Sequence, residues 1–171
     1  MARIRLEHIA KAQNLVGSFT IRDKEKLADE IFKAQPNLLA SVLALTRYGV
    51  SSEDLDVLLN ILLKCYEAVR VSGTHIPRIT ESDQERCLAR IVGRAQFVEG
   101  LSSSMSTKAV EDQVDGHGEK YLLALVISEL QEHNLTGVKS EAEKYLLLSA
   151  LNLAETIAYV ATDASQETPS K

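Results

Sequence analysis

The chain contains no tryptophan, three phenylalanines, three prolines, two cysteines and two methionines in 171 residues. Two cysteines, Cys65 and Cys87, cannot supply a disulfide framework, which excludes the small stapled scaffolds of secreted proteins. No apolar run approaches the roughly 18 residues of a membrane span. The opening Met1-Ala2-Arg3-Ile4-Arg5-Leu6-Glu7-His8 has no secretory apolar core, so a cytoplasmic protein is expected. Apolar material is not scarce, however. With 45% hydrophobic and 25% charged residues the chain can bury a core, which excludes wholesale disorder.

The sequence is also short of recognisable chemistry. Its four histidines, His8, His75, His117 and His133, stand in no metal-ligand spacing, and the two cysteines are 22 residues apart. Glu129 and His133 share one helix face but lack the repeated Glu-x-x-His of a bundle metal site, and read as a solvated helix end. Cys65 and Cys87 lie among apolar neighbours and read as small core residues, although Arg86 and Arg90 flank Cys87. The Gly116-His117-Gly118 turn offers backbone amides and a proton carrier, but Asp115 and Glu119 flank it and a turn alone explains the glycines. No catalytic residue, metal site or cofactor is expected.

Glycine and proline fall at the edges of segments rich in Leu, Ala, Glu, Lys and Arg, the composition of helices throughout. The first helix is expected over about 4–16, with Ile4, Ile9, Ala12 and Val16 on one face. A second starts near Asp23 with Leu27, Ala28, Ile31 and Phe32 on its stripe. Pro36 opens a third that runs to Tyr48, with Gly49 as a left-handed cap. Ser51 or Ser52 caps a long helix ending at Gly73, and Thr80 caps another reaching about Glu99. A short helix is expected over about 107–114, then helices over 119–134 and 140–162, the last opened by a Ser140/Glu143 capping box. Residues 1–164 thus read as one all-α domain of six to eight helices arranged as a bundle, and 165–171 as a flexible tail. The match between Glu119-Lys120-Tyr121-Leu122-Leu123 and Glu143-Lys144-Tyr145-Leu146-Leu147 is too short to establish a repeat.

Three of these helices are apolar over most of their circumference. The one after Ser52 leaves only a polar line of Asp56, Asn60, Lys64, Glu67 and Arg70, and Tyr121–Ile127 and Tyr145–Val160 are similar. Enclosing all three with a few short helices is difficult, so a homo-oligomer, a dimer first, is expected.

Charge is unevenly distributed. Residues 1–109 carry 15 Lys+Arg against 13 Asp+Glu, a net of +2, while 110–171 carry 4 against 11, a net of −7. Arg86, Arg90 and Arg94 line one helix face opposite Leu88, Ile91, Ala95 and Val98, and are the candidate contacts for an anion or a partner unless acidic groups of the chain relieve them. The stretch from Leu45 to Leu55 has a helix-turn-helix outline around Gly49, but its second helix begins with Glu53, Asp54 and Asp56, which repel phosphate. A second outline, Ile9 to Arg22, is more basic but places Gln13, Thr20 and Asp23 where apolar residues belong.

The expected function is protein–protein interaction by a small regulatory or adaptor bundle acting as a homo-oligomer. One alternative is a bundle that binds an apolar small molecule, with Asn60, Tyr66, Tyr121, Tyr145 and Asn152 as its polar contacts. The other is a nucleic-acid regulator, disfavoured by the net charge of −5.

Overall fold

A computed structural model describes residues 2–99, 108 and 111–166. Among these residues the chain is all-helical, with no strand. In chain order the helices are α1 (Leu6–Gly17), α2 (Ile21–Ala34), α3 (Pro36–Leu43), a 3₁₀ helix (Ala44–Tyr48), α4 (Ser52–Ser72), α5 (Glu81–Glu99), α6 (Lys120–Glu132) and α7 (Glu141–Gln166). Residues 111–115 add a helical turn. The Ser102-Ser103-Ser104 run and most of the expected tail lie outside the described residues, but α7 extends through Gln166, beyond the expected end of the domain at residue 164.

Short polar side chains set the helix starts. Thr20 Oγ1 accepts the Asp23 amide while the Asp23 carboxylate accepts the Thr20 amide and hydroxyl, and Thr80 and Asp83 do the same ahead of α5. Each pair satisfies amides that the first turn leaves without a partner. Ser51 Oγ accepts the Asp54 amide at the start of α4. Gly49 and Gly73 end their helices at φ of 80° and 69°, in the left-handed region that a Cβ disfavours.

α4 is the central helix, in contact with α1, α2, α3, the 3₁₀ helix, α6 and α7. Leu58, Ile61, Leu62, Cys65 and Ala68 are fully buried on it. The polar line is buried in part and each of its central members is paired. Asn60 Oδ1 accepts Lys24 Nζ at 2.8 Å, Lys64 Nζ donates to Glu129 Oε1 at 2.5 Å, and the buried Glu67 receives Arg70, which also pairs with Glu30. The first turn of α4 stays exposed at Ser52, Glu53 and Asp56, so the part that a helix-turn-helix would present is acidic.

Three expectations are corrected. The third helix does not run as one α-helix to Tyr48: it tightens into 3₁₀ geometry after Leu43, with Gly49 closing the turn. Phe32 is not a core residue but is 63% exposed, because α2 buries only the narrow Leu27 and Ile31 stripe and residue 32 is turned about 100° from it. Glu129 is not at a solvated end. It is buried on the inner face of α6 as the partner of Lys64, and His133 Nδ1 lies 2.8 Å from the Glu129 carbonyl of its own helix.

The apolar faces of α6 and α7 are enclosed within one chain as well: Leu122, Val126, Leu130, Leu146, Ala150, Leu153 and Ile157 are all buried. The two segments that share a five-residue match play different parts. Glu119 is buried and accepts the backbone amides of Arg3 and Ile4 at 3.1 and 3.0 Å, tying the start of the chain to α6, whereas Glu143 accepts the Lys139 amide at the edge of α7.

Candidate functional site

Two assemblies of side chains stand out, one electrostatic and one apolar, and α5 and α7 contribute to both. They pack directly on each other, with Cys87 and Ile91 of α5 turned inward. The stripe expected from Leu88, Ile91, Ala95 and Val98 is therefore rotated: Leu88 and Ala95 are exposed, and the Val98 side chain lies outside the described residues.

That rotation brings the arginine row onto the seam with α7. Arg86 donates to the Tyr159 hydroxyl, and its guanidinium carbon lies 5.6 Å from the ring centre. Arg90 stands 5.0 Å from the same ring centre. Arg94 donates to both oxygens of Glu155 at 2.9 and 3.3 Å. Glu155 also receives His117 Nε2 at 3.0 Å, and His117 Nδ1 accepts the Glu119 amide at 3.1 Å, an arrangement that places the imidazole proton on Nε2. Burial favours the neutral form of Glu155. The hydrogen bonds from His117 and Arg94, with the Arg94 charge, outweigh it and hold the carboxyl at about 2, below its ordinary 4.5.

This clamp joins α5, the 116–118 turn and α7, and it lies beside a shallow cavity of about 530 Å³. Both ring nitrogens of His117 and both carboxylate oxygens of Glu155 are already engaged, and among the described residues the one hydroxyl lining this cavity, that of Tyr159, accepts from Arg86. Cys87, nearby, is buried and its thiol is raised by that burial, partly offset by a hydrogen bond with Thr156. Cys65 is pushed by burial up to about 12. Neither is a reactive thiolate. Among the described residues no three His, Cys, Asp or Glu side chains are grouped to hold a metal ion.

The apolar assembly is a groove of about 710 Å³ between α3 with its 3₁₀ extension, one face of α5 and the first half of α7. Leu45 and Leu153 are buried at its floor, and Leu88, Val92 and Leu148 form its walls. Tyr48 and Tyr145 stand at its rim with ring centres 4.9 Å apart, and both remain exposed, at 55% and 39%. Three amide side chains line the groove, and each is committed to a neighbouring carbonyl. Asn37 donates to Ile79, Gln84 to Asn37 and Asn152 to Gln84, at 2.9, 3.3 and 3.0 Å.

The five polar residues singled out as ligand contacts are not brought together. Tyr145 and Asn152 share the groove. Asn60 on α4 is held by Lys24 of α2, and Tyr66 lies beside Arg70, His75 and Arg78 at a separate cavity of about 450 Å³. Tyr121 sits under the Lys120 ammonium near Arg5 and Leu6. The groove itself leaves a trace in the sequence, since Glu81, Glu85, Leu88 and Val92 recur at the spacing of one helix face. That trace is weak, because a face that meets a binding partner and a face that meets solvent both tolerate this mixture.

Set against protein-family models, curated proteins and solved structures, the chain matches none of them.

Proposed function

We propose that this chain is a single helical bundle that works by binding another protein, and that the groove between α3, α5 and α7 is the binding surface. The observation that carries this reading is the groove's chemistry. Leucine, valine and tyrosine supply its large side chains, its three side-chain amides donate to the chain's own carbonyls, and its charge is confined to the Glu81 and Glu85 end. An amphipathic helix laid along such a surface needs only apolar contact from it, because a helix satisfies its own backbone. The exposed Tyr48–Tyr145 pair and Leu88 are the large side chains best placed to lose water on contact.

The reading keeps protein interaction as the function but moves the surface. Leu58, Leu62, Leu122, Leu130, Leu146 and Leu153 of the helices that pointed to a second copy are buried within one chain, and the groove is the apolar surface assigned to a partner. The arginine row contributes less to partner choice than its sequence pattern implies, since Arg94 is neutralised by Glu155 and Arg86 is turned onto Tyr159.

The test uses a designed 14-residue amphipathic peptide with a leucine stripe and neutral flanks, followed by fluorescence anisotropy. Saturable binding to the wild-type chain that is lost in Leu88→Arg supports the groove. Binding unchanged by Leu88→Arg, or no saturable binding at all, overturns it.

A further inference from the structure

The groove is chemically uneven along its length. On α5 the residues that line it run Glu81, Glu85, Leu88, Val92, so one wall changes from acidic to apolar within about three helical turns. Among the described residues that line the groove, Glu81 and Glu85 are the only charged ones. Both are exposed, and among the described residues neither takes part in an ion pair or accepts a side-chain hydrogen bond. Glu81 in the first turn of α5 has a local explanation, because a carboxylate there meets the positive end of the helix dipole. Glu85 stands a turn further on, where that attraction has faded, and it faces the groove without a cation.

We infer that the groove selects an amphipathic helix carrying lysine or arginine at one end of its apolar stripe, with Glu81 and Glu85 as the residues that determine this specificity. The inference rests on the groove reading above. Leu88, Val92, Leu148 and Leu153 take the apolar stripe, and the two glutamates take the basic end. This sets the position of the partner along the groove as well as its charge. A partner with acidic residues at that end brings like charges together at a surface with no cation of its own to relieve them. The chain's net charge of −5 makes basic partners favourable in general, so the specific claim is that these two positions, and not the overall charge, carry the preference.

The experiment compares two designed peptides with the same leucine stripe, one with two lysines and one with two glutamates at one end, by fluorescence anisotropy. Two exposed ion pairs amount to a preference of about three- to tenfold for the lysine peptide at moderate salt. The preference is expected to disappear in Glu81→Gln/Glu85→Gln, to reverse in Glu81→Lys/Glu85→Lys, and to persist in Glu7→Lys, which changes net charge as one such substitution does but lies on α1 away from the groove. Circular dichroism confirms that each variant is folded, and the glutamine pair alone suffices if the lysine pair is not. Equal binding of both peptides, or a preference that survives Glu81→Gln/Glu85→Gln, overturns the charge selection while leaving the groove intact, provided Leu88→Arg still abolishes binding. Peptide binding indifferent to Leu88→Arg overturns the groove reading and the charge selection with it.

Discussion

Replacing Glu155 by glutamine removes one charge from the clamp and almost no volume, and its cost should depend on pH in a way that identifies the clamp as the cause. In the folded chain the carboxyl titrates at about 2, against an ordinary value of 4.5. A folded-state pKa below the unfolded one means that the unfolded chain takes up the proton first. The stabilisation is then fully present above about pH 4.5 and is lost as pH falls toward 2. At about 1.4 kcal/mol per pKa unit, the difference amounts to about 3 kcal/mol at pH 7, an upper figure because Arg94 keeps some contact with water. Urea denaturation of both proteins at pH 7, 4.5 and 3 reads it directly. Taking the difference between them cancels the titration of the other carboxylates. The expected gap is about 2–3 kcal/mol at pH 7, falls to roughly half of that by pH 3, and closes only as pH approaches 2. A gap of the same size at every pH would mean that glutamine disturbs packing alone, and no gap at pH 7 would mean that the clamp does not hold its carboxylate as the geometry requires.

Other consequences follow from buried polar contacts. Glu129→Ala strands the Lys64 ammonium against apolar neighbours and should cost about 3 kcal/mol, while the double change Lys64→Met/Glu129→Leu should be close to neutral; denaturant midpoints distinguish them. Gln35→Ala leaves the Ile79 amide and Pro77 carbonyl without the partner they share, at about 1–3 kcal/mol, and hydrogen exchange at Ile79 should quicken. Cys65 and Cys87 should not react with a thiol reagent at pH 8 in the native chain, and both should react once it is unfolded in urea, since burial raises both thiols and shields them.

Helices with strong local signals were legible from the residues alone. Ser51, Thr80, Gly49 and Gly73 mark ends that depend on one side chain or one left-handed φ and were legible, whereas the Thr20 cap was missed and α2 was expected to start near Asp23. The outcome at Phe32 and Leu88 was not legible, because each lies at the edge of a stripe and the neighbouring helix decides whether that edge is covered. The arginine row shows the same limit. Its spacing is local, but the Glu155 that neutralises Arg94 is 61 residues away on α7, and the His117 that shares Glu155 belongs to a turn whose glycines explained themselves. Of the five polar residues picked as ligand contacts, only Tyr145 and Asn152 meet, since convergence in space depends on helix packing rather than on residue type. The extent to which α4 is packed was not legible for a related reason: six other elements contact it, more than a count of short helices anticipates.

The most direct measurement is a methyl NMR titration of the leucine- and valine-labelled chain with the lysine-ended amphipathic peptide. The account predicts saturable shifts concentrated at Leu45, Leu88, Val92, Leu148 and Leu153, with the methyls of Leu27, Leu58 and Leu130 unmoved. Shifts spread over the surface, or centred on a different face, would contradict the groove as the place where this protein binds its partner.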